Sequence, residues 1–219
     1  DPAPMTSTPL EPPPGLPFSQ ACENNKAPIL AVLAQAFADR RHVLEIGSGT
    51  GQHGVHFAPR LPHLVWQTSD LAENHAGIRA WHALHPAPNL RPPLLLDLQG
   101  GDWPPGAFDA VFTSNTTHIV AWPLVQRLFA LAGAHLPPGG VLAVYGPFNY
   151  GGGFTSDSNR AFDAWLRARD PASGIRHFED IVALAARHGL ALERDHAMPA
   201  NTRLLVFPRS GGGAPAAVE

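Results

Sequence analysis

Short apolar runs alternate along the chain with longer segments whose apolar residues recur every three or four positions. The runs "HVLEIG" (42–47), "LVWQTSD" (64–70), Leu94 to Leu96, "FDAVFTSN" (108–115) and "GGVLAVYGPF" (139–148) read as buried strands. Segments 27–37, 51–61, 73–84, 122–136, 159–169 and 178–189 carry the spacing of helices with one apolar face. Pro92 and Pro93 hold the third strand back to Leu94, because proline cannot donate to a mid-sheet ladder. The last two apolar stretches, 191–198 and 202–209, follow one another without a helix and predict a terminal antiparallel hairpin. Strands alternating with amphipathic helices predict an α/β fold: a doubly wound, mostly parallel seven-stranded sheet, helices on both faces, last strand antiparallel.

Residues 1–17 are Pro-rich and lack apolar periodicity, which predicts a disordered arm. Residues 210–219 predict a flexible tail, and 18–209 a single domain. The net charge of −3 leaves no electrostatic footprint for nucleic acid. The one cysteine, Cys22, excludes an internal disulfide framework and points to the reducing cytoplasm. No apolar run is long enough to span a bilayer. His53 and His56 stand at i, i+3 on one predicted helix. A metal needs three or four ligands, and no Cys/His cluster supplies the rest, so no metal is expected.

After the first strand come Gly47, Gly49 and Gly51, on alternate positions behind Glu45. Glycines let such a strand-to-helix turn bend tightly and bring backbone N–H groups close to a ligand. In doubly wound sheets that turn lies where ligands bind. The dinucleotide fingerprint G-x-G-x-x-G/A requires a small residue at position 52, and the chain has Gln52. Asp70 lies 19 residues beyond Gly51 at a strand end, a distance that suits a carboxylate accepting from both ribose hydroxyls. Ser69 and Asp70 are also good helix N-caps, and that alternative stays open.

The pattern Glu45, Gly47, Gly49, Gly51 resembles the first motif of class I S-adenosylmethionine-dependent methyltransferases, a Rossmann-like superfamily. The resemblance implies S-adenosyl-L-methionine as cofactor, with Ser48 and Gln52 joining the glycines around it. It also implies that Asp97 accepts from the adenine amine, that Leu98 packs on the ring, and that the sulfonium meets the acceptor near Asn115 and His118. The N/D-P-P-Y/F motif of enzymes acting on amide or exocyclic nitrogens is absent, for "SNTT" stands there. The longer motifs "ACENNKAPIL" (21–30), "GPFNYGGGFTSDSN" (146–159), "FDAWLRARDPASGIRHFED" (162–180) and "MPANTRLLVF" (198–207) look like the uncharacterised methyltransferase-like protein twenty-six family.

Asn24, Asn25 and Lys26 are expected at a helix start over the cofactor mouth, with Lys26 pairing the methionine carboxylate. His118 is the candidate base, and Tyr150 or Tyr145 would orient the acceptor. Gly151 to Gly153 make a candidate substrate lid. The expected function is methyl transfer to a small-molecule acceptor by a monomer or homodimer. A protein or RNA methyltransferase, or a cofactor-binding protein without turnover, remain the alternatives.

Overall fold

A computed structural model describes residues 12–211. Helix α1 (Gln20–Ala36) precedes β1 (His42–Ile46), α2 (Gln52–Arg60), β2 (Val65–Asp70), α3 (His75–Leu84), β3 (Leu90–Leu95) and β4 (Ala110–Ser114). Then follow α4 (Trp122–His135), β5 (Val141–Gly146), β6 (Phe148–Asn149), α5 (Asp157–Arg169), β7 (Arg176–His177), α6 (Phe178–Arg187), β8 (Arg194–Met198) and β9 (Thr202–Pro208). Seven strands form one sheet in the order β3-β2-β1-β4-β5-β9-β8, and β6 and β7 pair separately. Strands β1 to β5 run parallel, and β9 pairs antiparallel with both neighbours. The antiparallel strand is last in the chain but second from the edge, because β8 passes outside it. Strand order reverses between β1 and β4, so the site expected in this architecture opens there.

Alternation along each strand splits the core into two layers. Leu44, Ile46, Val111, Leu142 and Val144 face α4 and α6, whereas Val43, Phe112, Ala143 and Tyr145 face α1 and α2. Glu45 falls on the α1–α2 side by the same alternation.

Two boundaries differ from the sequence expectation. Helix α1 starts at Gln20, not at 27: Ser19 caps it by accepting from the Cys22 N–H at 3.2 Å, and Pro28 lies inside. Strand β3 starts at Leu90 and includes Pro92 and Pro93. Both prolines are tolerated because β3 is the sheet edge, and the register with β2 shifts between Gln67 and Ser69 where they pass. The predicted arm and tail fall mostly outside the described residues. The described part of the arm sits against α3, where Trp81 Nε1 donates to the Pro17 carbonyl at 2.7 Å.

Candidate active site

The turn after β1 runs through left-handed backbone at all three glycines, with φ of 72°, 61° and 91° at Gly47, Gly49 and Gly51. A Cβ at Gly51 would stand 3.0 Å from the Ile78 Cα, so α3 packs directly on bare backbone there. At Gly49 no atom lies within 4 Å of that position, and the open side faces a cavity. Ser48 zips the turn to β2: its N–H donates to the Ser69 carbonyl at 2.9 Å, and its Oγ accepts from the Ser69 N–H at 3.0 Å.

Asp70 accepts from the Gly49 N–H and the Leu71 N–H at 2.7 Å each, and from Asn74 Nδ2 at 3.0 Å. A carboxylate has about four lone-pair sites. One remains, on the oxygen bound to Gly49, so the carboxylate has room for one further donor, where the sequence expectation of both ribose hydroxyls needs two. Asp70 lines a cavity of about 180 Å³ with Ile46, Asp97 and Leu98. Asp97 is exposed and accepts from the Gln99 N–H at 2.9 Å, while Leu98 is buried.

A neighbouring cavity of about 300 Å³ lies across Gly47, bounded by Ser48, Gly49, Cys22, His53 and Asn115. Asn115 follows β4 with φ of 55°, a left-handed conformation rare outside glycine, and its N–H donates to the Tyr145 carbonyl at 2.9 Å. Strain of this kind persists only where surrounding structure imposes it, often at functional sites. Asn115 also lines a third cavity, with Asn25, Tyr145 and Thr202.

Several of the expected site residues are placed elsewhere. Lys26 lies one and a half turns into α1 and pairs with Glu23, facing a cavity on the outer side of α2 with His56 and Arg60. It is turned away from the glycine loop. Gln52 is buried as a clasp: its oxygen accepts from the Ser19 N–H at 2.7 Å and from Thr50 Oγ1 at 2.8 Å, and its nitrogen donates to Glu23 at 2.9 Å. Glu45 is buried beneath the loop and accepts from Trp66 Nε1 at 3.3 Å. Burial raises its carboxyl to about 7 and the Asp70 charge adds to this, against hydrogen bonds from Ser48 and Trp66. Gln52 and Glu45 therefore shape the loop from behind.

His118 is enclosed, with its ring 5.5 Å from Phe162 on α5 and its Nδ1 against Gly146. It does not line the cavities that meet at Asn115. Burial, and secondarily Arg176, lower its pKa to about 4. The base expected there is sealed off because the chain turns inward after Thr116. Tyr150 donates to Asp195 Oδ2 at 2.9 Å and stacks on Phe178 at 4.7 Å, away from Asn115. The glycines after it form a tight β-bridge between Tyr150 and Gly153. Tyr145, the second tyrosine considered, is the one at the site.

Sequence reasoning passed over Ser19 and Cys22 as site residues, placed Asn25 over the cofactor mouth, and weighed His53 only as half of a metal pair. The first three arrive on the missed first turns of α1. His53 is a buried neutral ring, lowered to about 4 chiefly by desolvation, with its Nε2 2.7 Å from Asn25 Oδ1. His53 and His56 face different cavities. Among the described residues no group of three or more His, Cys, Asp or Glu could hold a metal ion. No helix among them is long and apolar enough to cross a membrane.

Residues 16–209 match the model of a family described as a protein of unknown function, DUF938. The chain belongs to this family. Solved structures share its architecture. An O-methyltransferase family protein from Burkholderia thailandensis superposes with a TM-score of 0.74 at 20% identity, covering 86% of this chain and 57% of that one. The mitomycin 7-O-methyltransferase MmcR gives 0.76 at 18% identity, over 87% and 54% of the two chains. PigF, solved with SAH, gives 0.73 at 17% identity, over 85% and 56%. The chain thus spans little more than half the length of these structures, and the likeness is one of fold. The mostly parallel seven-stranded sheet, ordered β3-β2-β1-β4-β5-β9-β8, is the Rossmann-like architecture shared with these structures.

Proposed function

We propose that this protein binds S-adenosyl-L-methionine across its glycine loop and catalyses methyl transfer to a small-molecule acceptor. One observation carries the reading: two cavities flank Gly47 at the carboxyl ends of β1 to β4, one holding Asp70, Asp97 and Leu98, the other Ser48, Gly49 and Asn115. That division suits a ligand with a nucleoside at one end and an amino acid at the other. The donors present fit it. Bare backbone at Gly49 faces the amino-acid end, a free lone pair on Asp70 suits a sugar hydroxyl, and Leu98 offers an apolar surface to a base.

When bound, S-adenosylmethionine supplies a methyl group on a positively charged sulfur, which departs as a neutral thioether. The protein's task is to align the acceptor and keep water out, and orientation alone contributes much of such a rate. Asn115, fixed in its left-handed turn, is the wall common to the cofactor and acceptor chambers. The mitomycin 7-O-methyltransferase, of the same fold, supports a small-molecule acceptor. SAH in PigF supports the cofactor. Placement in the cytoplasm and kinship with the methyltransferase-like protein twenty-six group belong to the same proposal.

Isothermal titration with S-adenosylmethionine, S-adenosylhomocysteine and NAD tests the ligand class. Heat with the first two and none with NAD is expected. Heat with NAD alone, or with none of the three, overturns the reading. Methyl-labelled cofactor incubated with fractionated metabolites then identifies the acceptor by the fraction that takes up label.

A further inference from the structure

The third cavity encloses about 200 Å³ between α1 and the β8–β9 hairpin. Its polar walls are Asn24, Asn25, Asn115, Tyr145 and Thr202, and no lining side chain is ionised at neutral pH. The nearest charges are committed elsewhere: Lys26 to Glu23, and Arg203 to Asp195 and the face of Tyr150.

Hydrogen-bond accounting fixes what these walls offer. Thr202 Oγ1 lies 2.8 Å from both the Pro199 carbonyl oxygen and the Tyr145 hydroxyl oxygen. A threonine hydroxyl has one proton, and a carbonyl has none to give. Both contacts are satisfied when Thr202 donates to Pro199 and Tyr145 donates to Thr202. The Tyr145 oxygen is then an acceptor only. On the opposite wall, Asn25 Oδ1 accepts from His53 Nε2 at 2.7 Å, so the neutral ring carries its proton on Nε2. The Asn25 side chain lines the same cavity as the Tyr145 hydroxyl. The His53 contact uses the amide oxygen, so the Asn25 amide nitrogen has protons to offer a guest. Asn25 and Tyr145 are 8% and 4% exposed, so little water competes with a guest for their polar groups.

We infer that this cavity is the acceptor site and takes a compact, uncharged molecule bearing a hydroxyl, which donates to Tyr145 and accepts from Asn25. The inference rests on the proposed function, since Asn115 joins the cavity to the cofactor chamber. A carboxylate or phosphate would enter without a counter-charge and pay the desolvation cost of a buried ion. A hydrocarbon would leave Tyr145 and Asn25 unpaired, the arrangement by which sites reject analogues lacking a hydroxyl. The volume is below the roughly 300–1,000 Å³ of pockets for drug-sized ligands, which limits the guest to a compact one.

Phenol, benzoate and toluene serve as probes of matched size, titrated by ligand-observed NMR against the full chain with and without S-adenosylhomocysteine. Phenol is expected to bind at least tenfold tighter than benzoate or toluene. Tyr145→Phe should weaken phenol about fivefold, the value of one neutral hydrogen bond, and leave toluene unchanged. Ala21→Leu, on an exposed position of α1 lining the cavity, should abolish phenol binding by occupying the space. Both variants should keep S-adenosylhomocysteine affinity within twofold. Benzoate binding as tightly as phenol, or phenol affinity unmoved by both variants, overturns the inference. If S-adenosylhomocysteine fails to bind while phenol behaves as described, the cofactor reading falls and the neutral hydroxyl pocket stands.

Discussion

At the carboxyl ends of β1 and β2 the site is made of main chain: three left-handed glycines, Ser48 zipped to Ser69, and one carboxylate holding the Gly49 N–H. At the ends of β4 and β5 it is made of side chains delivered by four separate segments: Asn25 from α1, Asn115 after β4, Tyr145 on β5 and Thr202 on β9. The first half is local. Its residues lie within 26 positions of one another, and its geometry follows from which residues tolerate positive φ. The second half is assembled by tertiary packing, and no spacing rule brings Asn25 to Thr202. Under the proposed function, the backbone half would select the cofactor class and the side-chain half what reacts with it.

Substituting the glycines separates packing from ligand space within the first half. Gly51→Val should be the most damaging change, because a left-handed φ is combined with a Cβ 3.0 Å from the Ile78 backbone. A loss of about 3 kcal/mol or more in urea unfolding is expected, from strain and overpacking together. Gly49→Val meets no neighbour and should cost about 1–2 kcal/mol of strain. It should nevertheless abolish S-adenosylmethionine binding, because the new side chain enters the cavity. Equal stability losses for the two variants would erase the distinction.

Acid should destabilise the protein through its enclosed imidazoles. His53 and His118 are held at about 4 in the fold, below the ordinary value of 6.5. A depressed folded value means that stability is complete above pH 6.5 and is lost as pH falls towards 4. The loss is on the order of 3 kcal/mol per ring. Glu45, raised to about 7, acts in the opposite sense: its contribution is full below pH 4.5 and declines as pH rises to 7. Two rings outweigh one carboxyl, so the urea midpoint should fall between pH 7.5 and pH 5. His118→Asn should shrink that fall while leaving the pH profile of turnover unchanged. A shifted activity profile would return His118 to the chemistry.

Removing the charge of Asp70 probes the hinge between the halves. Asp70→Asn should weaken S-adenosylhomocysteine about tenfold, since charge-assisted bonds to Gly49 and Leu71 are replaced by neutral ones. The smallest effect is expected at Lys26, whose partly buried pairing with Glu23 stays within one helix. Lys26→Met should move S-adenosylhomocysteine affinity by less than twofold, and a tenfold loss would place Lys26 at the methionine carboxylate after all.

The same contrast explains what could be read from the chain. Alternating apolar runs and amphipathic segments give the order of strands and helices, and the terminal hairpin is visible because 191–209 has no room for a helix. Gly47 to Gly51, Asp70 and Asp97 stand out because backbone chemistry leaves a local trace. His118 misled because proximity to a strand end says nothing about which way the chain turns next. Tyr150 misled because its partner, Asp195, lies 45 residues away. Ser19 and Cys22 were missed because the apolar spacing starts only at 27, and the role of His53 was missed because its partner, Asn25, lies 28 residues away. Pro92 and Pro93 hid the start of β3, since only the finished sheet reveals that the strand is an edge.

Gln52 fastens the first turn of α1 to the glycine loop, and the next turn of that helix supplies Asn24 and Asn25 to the neighbouring chamber. One rod is therefore the door of two rooms. A change that tilts this helix should be felt in both cavities at once.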